Sequence, residues 1–115
     1  MNDKLLNFLG LCRRAGKLTI GNDVVIDDVV NGNSKLVIIA SDISKNTEKK
    51  ILLNCHRCNT KVLKIKRTKE EMSFAIGKFS TVVSVTDYGF AKKFVEIIQS
   101  EMKEDNIWLN IKLKR

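Results

Sequence analysis

Cys55-His56-Arg57-Cys58 sets two soft ligands one helical turn apart, the spacing used by zinc sites and by dithiol redox centres. A structural zinc needs two further ligands, and the chain offers only Cys12 and the lone His56, so no metal site is expected. A redox pair draws its thiolate from the positive end of a helix dipole. This pair falls at the C-terminal end of an expected helix, where the partial charge is negative. The pattern that remains is two thiols lining a helix–sheet core, with His56 at a surface or helix end.

Asp42 and Asp87 each follow an apolar strand, the position where open α/β sheets place catalytic groups. Each also directly precedes a helix, where an aspartate accepts from free N–H groups. Neither has a histidine partner, a nucleophile elbow or a phosphate loop nearby. Capping is the expected role, and the chain reads as a non-enzyme that needs no cofactor. Asp23, Asp27 and Asp28 cluster on the next helix, Asp23 fitting its dipole and the others its solvent face. Gly16-Lys17 and Gly21-Asn22-Asp23 flank a short strand and bring a base, a flexible backbone, an amide and a carboxylate to a helix N-terminus. That set can donate N–H groups to phosphate and exchange hydrogen bonds with base edges; it can equally be an ordinary turn and cap.

Hydrophobic period supplies the elements that hold these residues. Leu5, Leu6, Leu9 and Cys12 mark a helical face over residues 4–14, closed by Arg13, Arg14 and Gly16. A short strand, Leu18 to Ile20, meets Gly21. Val25, Ile26, Val29 and Val30 recur at helical spacing from Asp23 to Val30, and Asn31-Gly32 ends that helix. Leu36 to Ala40 is an unbroken apolar run, the pattern of a strand covered on both faces. Ser44 caps a helix from Lys45 to Cys58 with Ile51, Leu52, Cys55 and Cys58 on its inner face. Val62 to Ile65 is a strand, Lys69 to Ile76 a short helix and Thr81 to Val85 a strand; Asp87 caps a helix from Phe90 to about Met102. The alternation predicts an α/β fold, a helix–sheet–helix sandwich with a largely parallel centre. Residues 1–104 are expected to form one domain. In the basic tail, 105–115, Ile107, Leu109, Ile111 and Leu113 alternate, which predicts an edge strand that joins this sheet or pairs two copies into a homodimer.

The charge balance narrows the partner. The chain has 115 residues, 21 Lys+Arg against 13 Asp+Glu, and a net charge of +8. Residues 45–69 alone hold nine bases against Glu48, which equals the whole excess. Concentrated positive charge attracts a polyanion by Coulomb forces and counterion release, favouring nucleic acid over a small acidic substrate. A membrane surface is the other candidate, but surface helices set large apolar residues opposite their bases, and this stretch reads as helix, strand and turn. A solvated basic face is the alternative without a ligand. No apolar run approaches the roughly 18 residues of a membrane span. The amphipathic opening and three unpaired-looking cysteines point to a reduced, cytoplasmic setting.

Several blocks in order resemble a known family: Ala15-Gly16-Lys17-Leu18, Gly21, Gly32 with Lys35-Leu36-Val37-Ile38-Ile39-Ala40-Ser41-Asp42, Cys55, Glu70-Glu71-Met72 with Ala75-Ile76-Gly77-Lys78, and Val85-Thr86-Asp87. The chain resembles the ribosomal protein L-seven-Ae/L-thirty-e superfamily over about residues 4–98, and within it the bacterial YlxQ-like branch. The resemblance implies a three-layer α/β/α sandwich with a mixed four-stranded sheet, and binding of kink-turns or related internal loops in structured, ribosomal-type RNA. It places Lys17, Gly21, Asn22 and Asp23 on one lip of the site, Asp42, Ser44 and Lys45 beside it, and Lys69, Ser73, Lys78 and Phe79 on the short helix and its following loop. Phe79 would stack on an unpaired base or pack as a core aromatic at the loop end. The family's signature, Gly-x-Asn-Glu-x-x-Lys, is altered: from Gly21, Asp23 stands at the Asn position, Val24 at the Glu and Asp27 at the Lys. Val24 removes a carboxylate that would accept from a guanine edge, and Asp27 turns phosphate attraction into repulsion. The expectation is an RNA binder that does not use the usual kink-turn signature, with a protein-interaction module on the same fold as the alternative.

Overall fold

A computed structural model describes residues 3–104. Nine elements alternate along it: α1 (Lys4–Arg14), β1 (Leu18–Ile20), α2 (Asn22–Val30), β2 (Leu36–Ile39), α3 (Lys45–Arg57), β3 (Val62–Lys64), α4 (Lys69–Ile76), β4 (Val82–Val85) and α5 (Tyr88–Glu104). The boundaries follow local chemistry. Asp3 accepts from the Leu6 N–H to open α1, and Ser44 accepts from the Thr47 N–H to open α3. Thr68 and Glu71 close a reciprocal capping box on α4, whose far end turns through Gly77 in the left-handed conformation. Asp87 caps α5 as expected, its Oδ2 accepting from the Phe90 N–H at 3.0 Å.

The four strands lie in the order β1-β4-β2-β3. Strand β4 runs antiparallel to both β1 and β2, while β2 and β3 are parallel. The sheet is therefore mixed, and the largely parallel centre expected from element alternation is corrected. An apolar run reports burial on both faces but carries no information on strand direction, and β4 is inserted, reversed, between β1 and β2. The expected edge strand at 107–113 lies outside the described residues.

Alternation along the central strands divides the core. Leu36, Ile38, Val83 and Val85 face α1, α4 and α5, where Leu5, Leu9, Met72 and Phe94 are buried. Val37, Ile39 and Val82 face α2 and α3, against Val25, Val29, Ile51 and Cys55. Phe8 stacks on Phe90 at 5.5 Å between centroids and meets Phe94 edge-on at 4.6 Å, locking α1 to α5. Buried Ser84 in β4 is satisfied by the Ser34 hydroxyl at 2.7 Å. Leu52, expected on the inner face of α3, is 43 % exposed. The helix buries a narrower stripe, Ile51 and Cys55, with Cys58 half-buried at its end.

Arg67 fastens the ends of three elements. Its guanidinium donates to both Asp3 oxygens at 2.7 and 3.1 Å and to Glu101 Oε2 at 2.6 Å, joining the start of α1 and the end of α5 to the β3–α4 loop. These hydrogen bonds hold the Asp3 carboxyl below its ordinary range and raise the Arg67 pKa.

Candidate nucleic-acid interface

The reversal of β4 brings four connections to one end of the sheet. The Gly21 N–H, just after β1, donates to Val82 O at 3.4 Å, and the Ala40 N–H, just after β2, donates to Thr81 O at 2.9 Å. The Ser41 N–H donates to Arg67 O, beyond β3, at 2.8 Å. The exits of β1, β2 and β3 and the entrance of β4 therefore sit side by side, and with them come Gly21–Asp23, Ser41–Lys45, Arg67–Lys69 and Lys78–Ser80.

Gly21 sets the first lip. Its φ of +108° belongs to a region that L side chains rarely adopt, and no atom stands within 4 Å of where a Cβ would lie, so the constraint is the backbone angle alone. As N-cap of α2 it supplies no side-chain acceptor. The first N–H groups of that helix consequently face outward with the positive end of its dipole. Asn22 and Asp23 are exposed beside them.

The other helix starts are filled from within. Asp42 was expected to cap the helix that follows it; instead its Oδ1 accepts from the Lys69 N–H at 2.7 Å and caps α4, across the site. Ser44 takes the α3 position, its Oγ accepting from the Thr47 N–H at 3.3 Å. Ser73 Oγ accepts from the Ser80 N–H at 3.0 Å and donates to Ser80 O at 3.3 Å, while the Ser80 hydroxyl donates to Val82 O at 2.6 Å. Asp42, Ser44 and Ser73 thus shape the rim. The clamp on Ser80 projects the preceding residues outward, leaving Phe79 70 % exposed beside exposed Lys78. Phe79 is therefore on the surface and not the core aromatic that was the alternative.

Lys45 and Lys69 are exposed on the same rim. Lys17 is not with them. Its carbonyl accepts from the Thr86 N–H at 3.0 Å, where β4 leaves the sheet, so it stands at the opposite end, about 13 Å along β1 from Gly21. The basic stretch 45–69 is also divided. Lys64 pairs with Glu48 at 2.9 Å on edge strand β3, and Arg67 is held by Asp3 and Glu101, so neither backs the rim with free charge. Asp28, expected on the solvent face, is half-buried and accepts from the Thr19 hydroxyl, tying α2 to β1.

A small groove of about 210 Å³ opens between the starts of α2 and α3, lined by Asn22, Asp23, Ile26, Asn46, Thr47, Lys50 and Ile51. Lys50 belongs to the basic stretch 45–69, whereas Asn46 was not singled out from the sequence. Their i, i+4 spacing places them on one face of α3, and that phase relative to buried Ile51 was the available signal.

The thiols are core residues. Burial first, and then the Asp87 charge, pushes Cys12 up to about 12; burial and then Cys58 push Cys55 up to about 12. The Cys55–Cys58 pair closes the C-terminal end of α3, with Cys58 half-buried as its C-cap. Among the described residues, no three His, Cys, Asp or Glu side chains group closely enough to hold a metal ion, and no helix is long and apolar enough to cross a membrane.

Fold and rim together define a class: a three-layer α/β/α sandwich that displays one uncapped helix start, exposed lysines and an exposed aromatic around a single sheet end. The model of the Ribosomal protein L7Ae/L30e/S12e/Gadd45 family matches residues 3–95, and the chain belongs to that family. It is 36 % identical over 96 residues to "RNA-binding protein YlxQ" of Enterococcus faecium, covering 84 % of this chain and 92 % of that one. It is 37 % identical over 91 residues to the protein of the same name from Bacillus subtilis, covering 78 % and 90 %. These relatives place it in the YlxQ-like branch. A solved structure of a protein of unknown function from Bacillus halodurans superimposes with a TM-score of 0.77 at 36 % identity, over 83 % of this chain and 96 % of that one. The Giardia lamblia 15.5kD RNA binding protein shares the fold, with a TM-score of 0.69 at 20 % identity, over 90 % and 92 % of the two chains.

Proposed function

We propose that this chain binds structured RNA at the sheet end built by Gly21–Asp23, Lys45, Lys69 and Lys78–Phe79, as a non-enzymatic, cytoplasmic protein of ribosomal type. The observation that carries the reading is the meeting, on one rim, of an N-terminus of α2 with no side-chain cap, exposed cations and Phe79. The names of the Enterococcus and Bacillus relatives support it. Lysine ammonium groups and the free N–H groups of α2 would hold phosphates; Asn22 and Asp23 would meet base edges; Phe79 would stack on an unpaired base. With Val24 and Asp27 in place of the family's acceptor and cation, recognition of a kink-turn or related internal loop rests on shape and stacking more than on guanine readout. Residues 1–104 carry this site, and 105–115 would serve pairing between copies.

Filter binding of ribosomal RNA and of a kink-turn oligonucleotide across a salt series tests the proposal. Binding should weaken steeply with salt, and Lys45→Ala, Lys69→Ala or Lys78→Ala should each lower the log–log slope by about 0.7–0.9. Lys17→Ala, at the far end of β1, should leave it in place. Absence of binding to ribosomal RNA at low salt overturns the proposal. Val24 and Val30, 48 % and 59 % exposed on α2, favour a second reading, a protein docked on that helix. A protein partner retained after nuclease treatment and lost on Val24→Glu would support it.

A further inference from the structure

The layer of α1, α4 and α5, on the other face of the sheet from α2 and α3, carries a surface that RNA binding at the rim does not use. Two grooves flank α1. One, of about 510 Å³, runs between α1 and α5 and is lined in part by Lys4, Phe8, Leu11, Arg14, Lys93 and Ile97. The other, of about 280 Å³, runs between α1 and α4 over Leu6, Gly10, Arg14, Phe74 and Ala75. Both grooves share Arg14. Its guanidinium lies over Gly10, where α1 approaches α4 so closely that a Cβ would stand 3.0 Å from Ala75 O.

We propose that this double groove docks an acidic protein segment bearing apolar anchor residues. Two apolar side chains wait at its mouths: Phe74 is 80 % exposed and Leu11 is 46 % exposed. Among the described residues, no acidic side chain lines either groove, while Lys4, Arg14 and Lys93 do. Of the acids on or beside these helices, Asp3 and Glu101 are held by Arg67 and Glu71 closes the α4 capping box. Glu96, 3.9 Å from Lys93, offsets part of that charge and Glu70 is exposed one turn before Phe74, so Arg14 and Lys4 carry the positive potential. Such a surface complements leucine or phenylalanine anchors in a segment of aspartate and glutamate.

Other occupants fit less well. RNA would find the cations but also an apolar floor with little to hydrogen-bond. A second copy of this face would oppose like charges across a two-fold axis. Residues 105–115 bring Lys112, Lys114 and Arg115 against Asp105, which the same cations repel. The two sites lie on different parts of the molecule, so one chain could join an RNA to an acidic protein.

The test is site-specific photocrosslinking in cells with p-benzoylphenylalanine in place of Leu11 or Phe74, the crosslinked peptide being sequenced by mass spectrometry. The expected result is one protein partner captured from both positions through a segment of net negative charge. Arg14→Glu should lower the adduct by about tenfold or more while Arg14→Lys retains it, with melting temperature and ribosomal RNA binding left in place. A crosslink to RNA, to a second copy, to residues 105–115 or to a neutral or basic segment overturns the proposal. So does the absence of a discrete adduct, or one indifferent to Arg14→Glu.

Discussion

Phe79→Ala separates a stacking platform from a decorative surface aromatic. Phe79 is 70 % exposed and belongs to neither core cluster, so truncation leaves no cavity and should shift the melting temperature by no more than a degree or two. Removing one base-stacking aromatic costs about 1–3 kcal/mol, roughly 5- to 150-fold in Kd. Because the side chain is uncharged, the salt dependence of binding should be unchanged while the whole curve moves to weaker affinity. Phe74→Ala is the matched control: the same residue type, 80 % exposed, five positions earlier and on the α1–α4 face instead of the rim. It should bind RNA as the unaltered chain does, and Phe79→Trp should retain affinity. Fluorescence anisotropy with an internal-loop RNA, at two salt concentrations, gives all four values. Equal affinity for Phe79→Ala and the unaltered chain, or equal loss in Phe74→Ala, would refute the assignment of the rim.

Three further outcomes follow from the geometry. Asp3 has a folded pKa held below its unfolded value of 3.8 mainly by its hydrogen bond from Arg67, so its contribution is present above that value and is lost as pH falls further; melting temperature should drop below pH 4, and Arg67→Met should flatten that drop in calorimetry. Gly21→Ala must hold an L side chain at φ +108°, a strain of about 1–3 kcal/mol with no steric clash, so urea unfolding should show that loss while a Gly32→Ala variant, at φ +77° in an ordinary turn, loses less. Cys12 and Cys55, buried with thiols pushed up to about 12, should resist alkylation at pH 8 in the folded chain, and peptide mapping should find half-buried Cys58 modified first; early labelling of Cys55 would contradict its core placement.

Most elements were legible because each carries a local signal. The Leu5–Leu9–Cys12 face, the run Leu36–Ala40 and the caps Ser44 and Asp87 report on their neighbours within four residues, and the structure keeps them within a residue or two. The resemblance supplied the mixed sheet that periodicity left out. What stayed hidden depends on distant parts of the chain. Asp42 precedes α3 yet caps α4 at Lys69, 27 positions on, because the exits of β2 and β3 are adjacent. Arg67 looked like one more base in a cationic stretch, but its partners sit 64 positions before it and 34 after it. Lys17 is near Gly21 in sequence and at the other end of a strand in space.

The reversed central strand is what brings these separate features to one end of the sheet. Were β4 parallel to its neighbours, the loop that enters it would emerge at the Lys17 end, with Lys78 and Phe79 a strand's length from Gly21. Running antiparallel, β4 starts where β1 and β2 finish, and its first hydrogen bonds, from Gly21 to Val82 and from Ala40 to Thr81, fasten the aromatic loop beside the uncapped start of α2. Ser73 and Ser80 then hold that loop so that Phe79 faces out. The polar residues that a sequence reading would assign to ligand contact, Asp42, Ser44 and Ser73, are engaged in making this arrangement rigid. Under the proposed function, contact would then fall to groups without internal partners of this kind: the α2 N–H groups, the lysine ammonium groups and the Phe79 ring. Such groups respond to the position of phosphates and unstacked bases, which is why loss of the family's acceptor and cation at Val24 and Asp27 changes how an RNA would be read without dismantling the surface that would hold it.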